Sequence, residues 1–180
     1  MFSVPEPNEE TLRYIFENIL MGFLQAASFV DAVKKMGTTA VGAAIDLYSS
    51  ISKSLKPTPS KFHYIYNLRD LSKVFQCMLM TTPRKVSSPE VFTRLWIHEC
   101  MRTFHDRLVC LDDRRFFTRL LTELVQKHFE VQMDHDATFC SVERPLLFVD
   151  FQKMGVPLQD RCYEEVVDVK KVGKLLEAYL

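Results

Sequence analysis

Apolar residues recur along most of this chain every three or four positions, the period of a helix with one buried face. The first run carries Leu12, Ile15, Phe16, Ile19, Leu20, Phe23 and Leu24, and Asn8 with Glu9 and Glu10 supplies a cap and an acidic first turn. A second run, Val41, Ala44, Ile45, Tyr48, Ile51 and Leu55, is opened by Gly37 and Thr38 and halted by Pro57 and Pro59, which disfavour helical geometry in the residues before them. Asn67 is a good N-cap for a third helix bearing Leu68, Leu71, Val74, Phe75, Met78 and Leu79. After a polar turn from Thr81 to Ser88, the sequence Ser88-Pro89-Glu90 starts a fourth, whose Phe92, Leu95, Trp96, Cys100, Phe104 and Leu108 face inward. Asp112 and Asp113 are placed to cap a fifth, with Phe116, Phe117, Leu120, Leu121, Leu124, Val125 and Phe129. Short connections predict antiparallel neighbours and a helical bundle reaching about residue 133, with Leu12, Phe16, Phe75, Trp96, Phe117 and Leu121 in its core.

The periodicity stops between Asp134 and Pro145, which marks a boundary. Leu146 to Phe151, LLFVDF, has the length of a strand, but periodicity alone does not separate strand from helix there. Pro157 lies in the loop that follows, and Asp168 precedes a last short helix with Val172, Leu175, Leu176 and Tyr179. The expected fold class is therefore mainly α: a helical bundle over 1–133, then a short and incomplete α/β segment over 134–180.

Composition narrows the partners. Lys+Arg 23 against Asp+Glu 23 leaves a net charge of +0, so no global field draws in nucleic acid or an anionic membrane. Arg114, Arg115 and Arg119 cluster locally, but Asp112, Asp113 and Glu123 stand among them, which favours a solvated or interdomain face. No apolar run approaches the length of a membrane span, and FSVPEPNEE after Met1 lacks the basic start and apolar core of a signal peptide. The expectation is a soluble protein that is not secreted, read from a chain that enters mid-domain. Cys77, Cys100, Cys110, Cys140 and Cys162 form no CxxC pair and leave an odd one, the usage of reduced, mostly buried intracellular thiols. Phe, at 14 residues, is frequent enough for its rings to dominate the packing.

Most motifs fail on a named residue. Gly37 and Gly42 have the first half of a phosphate-loop spacing, yet Ala43 and Ala44 stand where Lys and Ser or Thr are needed, so small residues for close helix packing are the better account. His98-Glu99 suggests HExxH, but the fifth position is Arg102 and the second zinc ligand is missing. Arg102 and Asp106 are four apart, the spacing of a helical ion pair. Cys100 and His105 are wrongly spaced to face one another as a nucleophile and base. With no complete phosphate loop and no strand ending in paired acids, this chain alone is not expected to hydrolyse ATP.

One residue stands apart. Arg69 falls in the first turn of the third helix, where the dipole favours anions and a positive side chain gains nothing. It is either a solvated surface charge or a contact for an anion. Asp70 suits the dipole and is available to pair with a neighbour.

The run that carries Arg69, PTPSKFHYIYNLRDLSKVFQCML from Pro57 to Leu79, closely resembles the lid of the third AAA module in dynein heavy chains of the axonemal (ciliary) type. Members commonly read like PTPxKFHYxFNLRDLSRVFQG, matched here from Pro57 to Gln76 except for Tyr66 in place of Phe and Lys73 in place of Arg. Cys77 replaces a frequent Gly, which bears on how closely that helix approaches its neighbour. TLRYIFENIL at 11–20 is similar to the family's lead into the lid, and Leu95-Trp96-x-His98-Glu99-x-x-Arg102 with Asp106-Arg107-Leu108 is similar to its connector. LLFVDF with Gly155, Arg161 and Tyr163-Glu164-Glu165 resembles the entry into the fourth module.

The resemblance implies an AAA+ lid with its connector and the start of the next module, in an ATP-driven, minus-end-directed microtubule motor of cilia and flagella. It further implies that Arg69 is the nucleotide contact, turned toward the phosphates of ATP or ADP bound in the parent module, with neither held tightly by this stretch alone. The implied partners are the remainder of the heavy-chain ring, dynein intermediate and light chains, and microtubules. A rival reading of another class is a stand-alone helical interaction module that binds a protein and no nucleotide.

Overall fold

The computed structural model describes residues 7–130, 146–153, 155–157 and 160–179. Helix α1 spans Glu9–Ala26, α2 Asp31–Ser54, α3 Leu68–Met78, α4 Pro89–Cys100 and α5 Leu111–Phe129. α4 runs on into a single π-helical turn, Met101–His105. α1 lies along α2, α2 also packs against α4 and α5, and α3 rests on α4 and the π turn. The fold is mainly α, a bundle followed by a short β-containing segment, in agreement with the periodicity.

The helix starts follow from local chemistry. Asn8 accepts from the Thr11 N–H and Ser88 from the Val91 N–H, with Pro89 at the first position of α4. Between α1 and α2 the chain turns at Ser28, whose φ of 59° is a left-handed conformation usually given to glycine. α2 begins at Asp31 rather than at Gly37. Gly37 lies instead within the helix, because α1 crosses there: a Cβ on it would meet Met21 Sδ at 2.6 Å. Gly42 faces the Arg13 guanidinium, so both glycines of the failed phosphate-loop spacing serve close packing.

The core is continuous and aromatic. Leu12, Phe16, Phe75, Trp96, Phe117 and Leu121 are all buried, as predicted. Phe16 stacks on Phe75 with centroids 4.7 Å apart, and Trp96 meets Phe129 at 5.1 Å. Several expectations need correction. Ile15 and Ile19 are 42% and 45% exposed, because α2 covers only the Leu12, Phe16, Leu20 and Leu24 stripe of α1. Asp112 and Asp113 do not cap α5: its N-cap is Cys110, with no side-chain bond, and both acids sit in the first turn. Arg102 and Asp106 make no ion pair among the described residues, since the π turn lies between them and puts Asp106 beside His105 instead. Of the four described cysteines only Cys100 is buried, and Cys140 lies outside the described residues, as does the predicted boundary at 134–145.

Within LLFVDF only Phe148 and Val149 form a strand. β1, Phe148–Val149, pairs antiparallel with β2, Glu164–Glu165, with Phe148 opposite Glu165. A last helix, α6, spans Val169–Tyr179; its Val172 is buried with Val149 and Val166, whereas Leu176 is 48% exposed. No helix among the described residues is long and apolar enough to cross a membrane.

Candidate functional site

The approach to α3 is built from residues 57–67, and polar ties to a distant part of the chain fix it more firmly than its prolines do. Lys61 Nζ lies 2.5 Å from Asp113 Oδ2, and the Tyr64 hydroxyl donates to the same oxygen at 2.9 Å. Tyr64 in turn accepts the Val109 N–H at 3.1 Å. The Lys61 ammonium and the Tyr64 hydroxyl hold the Asp113 carboxyl below its ordinary value, and Asp113 raises Lys61 in return. The acid expected to cap α5 is therefore the anchor of the loop that leads into α3. Tyr66 lies over this junction with its phenol pushed up to about 12 by burial.

At the mouth of α3 the capping box is complete. Asn67 Oδ1 accepts from the Arg69 and Asp70 N–H groups, and Asp70 Oδ2 accepts the Asn67 N–H at 3.1 Å. Asp70 is 6% exposed, and its charge is met by Arg107, whose Nη2 donates to Asp70 Oδ1 at 2.8 Å. The same guanidinium donates to the Ile65 carbonyl at 3.1 Å and to the Thr103 carbonyl at 3.1 Å, and lies 5.3 Å from the Tyr66 ring centre. A fork of five donors suits this many-sided role better than an ammonium would.

Arg69 is placed as its sequence position predicts, in the first turn of α3 with its side chain exposed. Among the described residues it forms no ion pair, while Lys61 of the approach loop and Arg107 of the connector are both matched by carboxylates. On the approach loop Phe62 and Ile65 stand 73% and 60% open. What the arrangement offers is one unspent guanidinium beside the amide end of a well-capped helix, suited to an oxyanion such as a phosphate. Sequence spacing singled out Arg69 but not Arg107, Lys61, Tyr64 or Asp113, whose contacts span 37 to 52 residues. Arg107 lay in the connector phrase that contains Asp106-Arg107-Leu108, and Lys61 and Tyr64 in the run from Pro57 to Leu79, but neither phrase assigns their contacts.

His98 and Glu99 have a different use. His98 Nε2 accepts the Phe148 N–H at 3.3 Å, which leaves Nδ1 to donate to Glu99 Oε1 at 3.0 Å. The Tyr163 hydroxyl donates to that oxygen at 2.5 Å. Burial and then Glu99 drive the Tyr163 phenol far up, and the same two causes lift the Cys77 thiol to about 11. The pair is thus a buried pin between α4 and the strands, and Arg102, where a second metal ligand would be needed, is exposed. Arg114 of the basic cluster is spent on the Leu108 carbonyl at 2.7 Å, and Arg115 lies 3.7 Å from Asp112.

With this geometry in hand, the comparisons are informative. A model of the AAA+ lid domain family matches residues 40–139, a span that contains the whole approach loop, α3 and the connector. The human protein named dynein axonemal heavy chain 6 is 39% identical over 180 residues, all of this chain and 4% of the relative. The dynein-1-alpha heavy chain of the flagellar inner arm I1 complex from Chlamydomonas reinhardtii is 36% identical, covering 98% of this chain and 4% of its own. The ciliary dynein beta chain of Tripneustes gratilla is 38% identical over 76% of this chain and 3% of its own. The chain thus spans about 4% of the length of the curated relatives it matches first.

Proposed function

The chain belongs to the AAA+ lid family, in the form found in axonemal dynein heavy chains, and from that premise we propose that it works as a nucleotide-responsive lid and connector within a ciliary motor. In this reading residues 1–133 are the lid of the third AAA module with its connector helices, and 134–180 begin the fourth. The parent is an ATP-driven, minus-end-directed microtubule motor of the axoneme. Its partners through that parent are the rest of the ring, intermediate and light chains, and microtubules. This stretch carries no phosphate loop and no acids to orient water, so its part is to sense nucleotide and pass the motion on. ATP or ADP would be held chiefly by the neighbouring large subdomain, with Arg69 reaching its phosphates from the lid.

One observation carries the assignment of Arg69. It is the cation in the first turn of α3 whose charge no carboxylate of the described residues neutralises, whereas Lys61 of the approach loop and Arg107, held on Asp70, are both paired. A charge-assisted contact to phosphate contributes about 1.5 to 3 kcal/mol where it is desolvated, and less where it stays wet. The test is Arg69→Ala in the full heavy chain, with the phosphate-loop lysines of the other modules substituted so that one site is read. The expected result is a loss of mant-ADP affinity between severalfold and roughly a hundredfold, with the thermal midpoint of the lid unchanged. Wild-type affinity would reduce Arg69 to a solvated surface charge.

A further inference from the structure

We propose that Arg107 is a positioning residue for Arg69, set in place by the π turn that ends α4; this rests on the reading of Arg69 as the phosphate contact. Arg107 belongs to the connector, 37 residues from Asp70, and among the described residues its hydrogen bonds go to Thr103, Ile65 and Asp70 rather than to Arg69. What it does touch is both sides of the helix mouth. Its Nη1 holds the Ile65 carbonyl, on the chain coming in, and its Nη2 holds the Asp70 carboxylate, on the first turn going out. Asp70 Oδ2 then takes the Asn67 N–H, and Asn67 Oδ1 takes the Arg69 N–H at 2.9 Å. A continuous path of hydrogen bonds therefore runs from the connector to the backbone of Arg69.

The capping box by itself fixes where α3 starts, because all of its bonds lie within residues 67–70. It does not fix which way that first turn points relative to the connector. Arg107 does, since Nη1 and Nη2 span the incoming and outgoing chain and a third donor, Nε, is tied to Thr103 O in the preceding π turn. It also keeps Arg69 available. Asp70 is the nearest acid in sequence, and it is already saturated by the Arg107 guanidinium and the Asn67 N–H.

The π turn explains how Arg107 comes to point there. The Asp106 N–H reaches back five residues to the Met101 carbonyl at 3.1 Å, where an α-helix would reach back four. One added residue in a turn rotates everything after it by about 100° relative to an unbroken α-helix. Phe104 and Leu108 still reach the core, Arg102 is left outside, and Arg107 swings onto the mouth of α3. Such turns are frequent at functional sites, and here the side chain that emerges just beyond the turn is Arg107.

The experiment is a double-substitution cycle in the full heavy chain, with the other modules' phosphate-loop lysines substituted and mant-ADP as the probe. Four proteins are compared: unaltered, Arg69→Ala, Arg107→Met, and both together. Arg107→Met is expected to weaken mant-ADP about tenfold, no more than Arg69→Ala does, and to have no further effect once Arg69 is gone. Arg107→Lys keeps the charge and the stem, and so guards against a variant that fails to fold; it is expected to weaken binding about threefold and to speed amide exchange at residues 67–71. If Arg69→Ala leaves affinity unchanged, the reading of Arg69 fails and this inference with it. If Arg69→Ala weakens binding while Arg107→Met and Arg107→Lys do not, that reading stands and the positioning role is overturned. An equal loss from Arg107→Met with and without Arg69 overturns it as well, because the effect would not pass through Arg69.

Discussion

The helical bundle and the segment from residue 146 onward are held by opposite means. In the bundle, thirty or so apolar side chains from α1 to α5 form one continuous cluster, with Val33, Ile45, Leu71, Leu95, Trp96 and Phe117 fully buried. Among the described residues of the later segment, Val149, Val166 and Val172 make the one buried cluster of its own. It is attached to the bundle through directed polar contacts: Arg94 to Glu165 at 2.6 Å, Lys85 to Glu164, Tyr163 to Glu99, and the Phe148 N–H to His98. Phe148 and Tyr163 do add apolar contact where they reach the main core. Apolar burial is non-directional and tolerant of register, so it makes a stable block. Buried polar pins are intolerant, because each lost partner strands another polar atom away from water. The bundle is thus built to stay whole, and the seam to be the place where position is specified.

The largest expected effect tests the bundle. Trp96→Ala removes a fully buried indole that meets Phe129, and should cost about 3 to 5 kcal/mol in denaturant unfolding. Trp96→Phe should cost far less, because the indole N–H has no partner among the described residues and its loss strands nothing. A small effect of the alanine variant would contradict a single cooperative core.

The seam is tested next. Glu99→Ala leaves the Tyr163 hydroxyl and His98 Nδ1 without their shared acceptor, at a cost of about 1 to 3 kcal/mol. The loss should be local: amide exchange should accelerate at residues 148–149 and 164–165 well before it does in α2 or α5. Equal acceleration everywhere would mean that the pins and the core form one cooperative unit.

Acid should act within the bundle, more weakly. Asp113 lies below its ordinary value through Lys61 and Tyr64; for Asp46 burial acts to raise the carboxyl, but hydrogen bonds from Lys127 and His128 outweigh it. Because both folded values are depressed, their stabilisation is complete above the unfolded value near 3.8 and is lost as pH falls through the folded one. His105 is lowered by burial, so the fold prefers it neutral and stability begins to decline as pH drops below 6.5. A pH series of thermal midpoints that stays flat from 7 to 3 would remove these groups from the account. The smallest effect expected is from Gly42→Ala. The added methyl meets the movable end of Arg13 at 3.0 Å, and the gain in helix propensity of up to about 1 kcal/mol should leave the protein unchanged or slightly more stable.

How much of this was legible in the chain depended on range. Asn67 as a cap, Ser88-Pro89 as a helix start and the burial of Phe16, Phe75 and Phe117 could all be read directly, because each follows from residues within a turn or two. The family resemblance of Pro57 to Leu79 was legible too, since it resides in the order of residues and not in their contacts. Arg69 could be placed by counting from its cap. Other features required the folded chain. Ile15 and Ile19 match the helical period as well as Phe16 does, and only the packing of the other helices on the Leu12, Phe16, Leu20 and Leu24 stripe leaves them in solvent. A π turn differs from an α turn by a single residue, and no apolar period announces it. The partners of Arg107, Asp113 and Glu99 lie tens of residues away, and a carboxylate carries no local mark of whether it will cap its own helix, as Asp112 and Asp113 were expected to, or anchor a distant loop, as Asp113 does. Local sequence determined the helices and the position of Arg69, because backbone propensity and capping act over a few bonds. Tertiary structure alone decided which charges are spent and which remain free, because that depends on which acids the folded chain brings within hydrogen-bond reach.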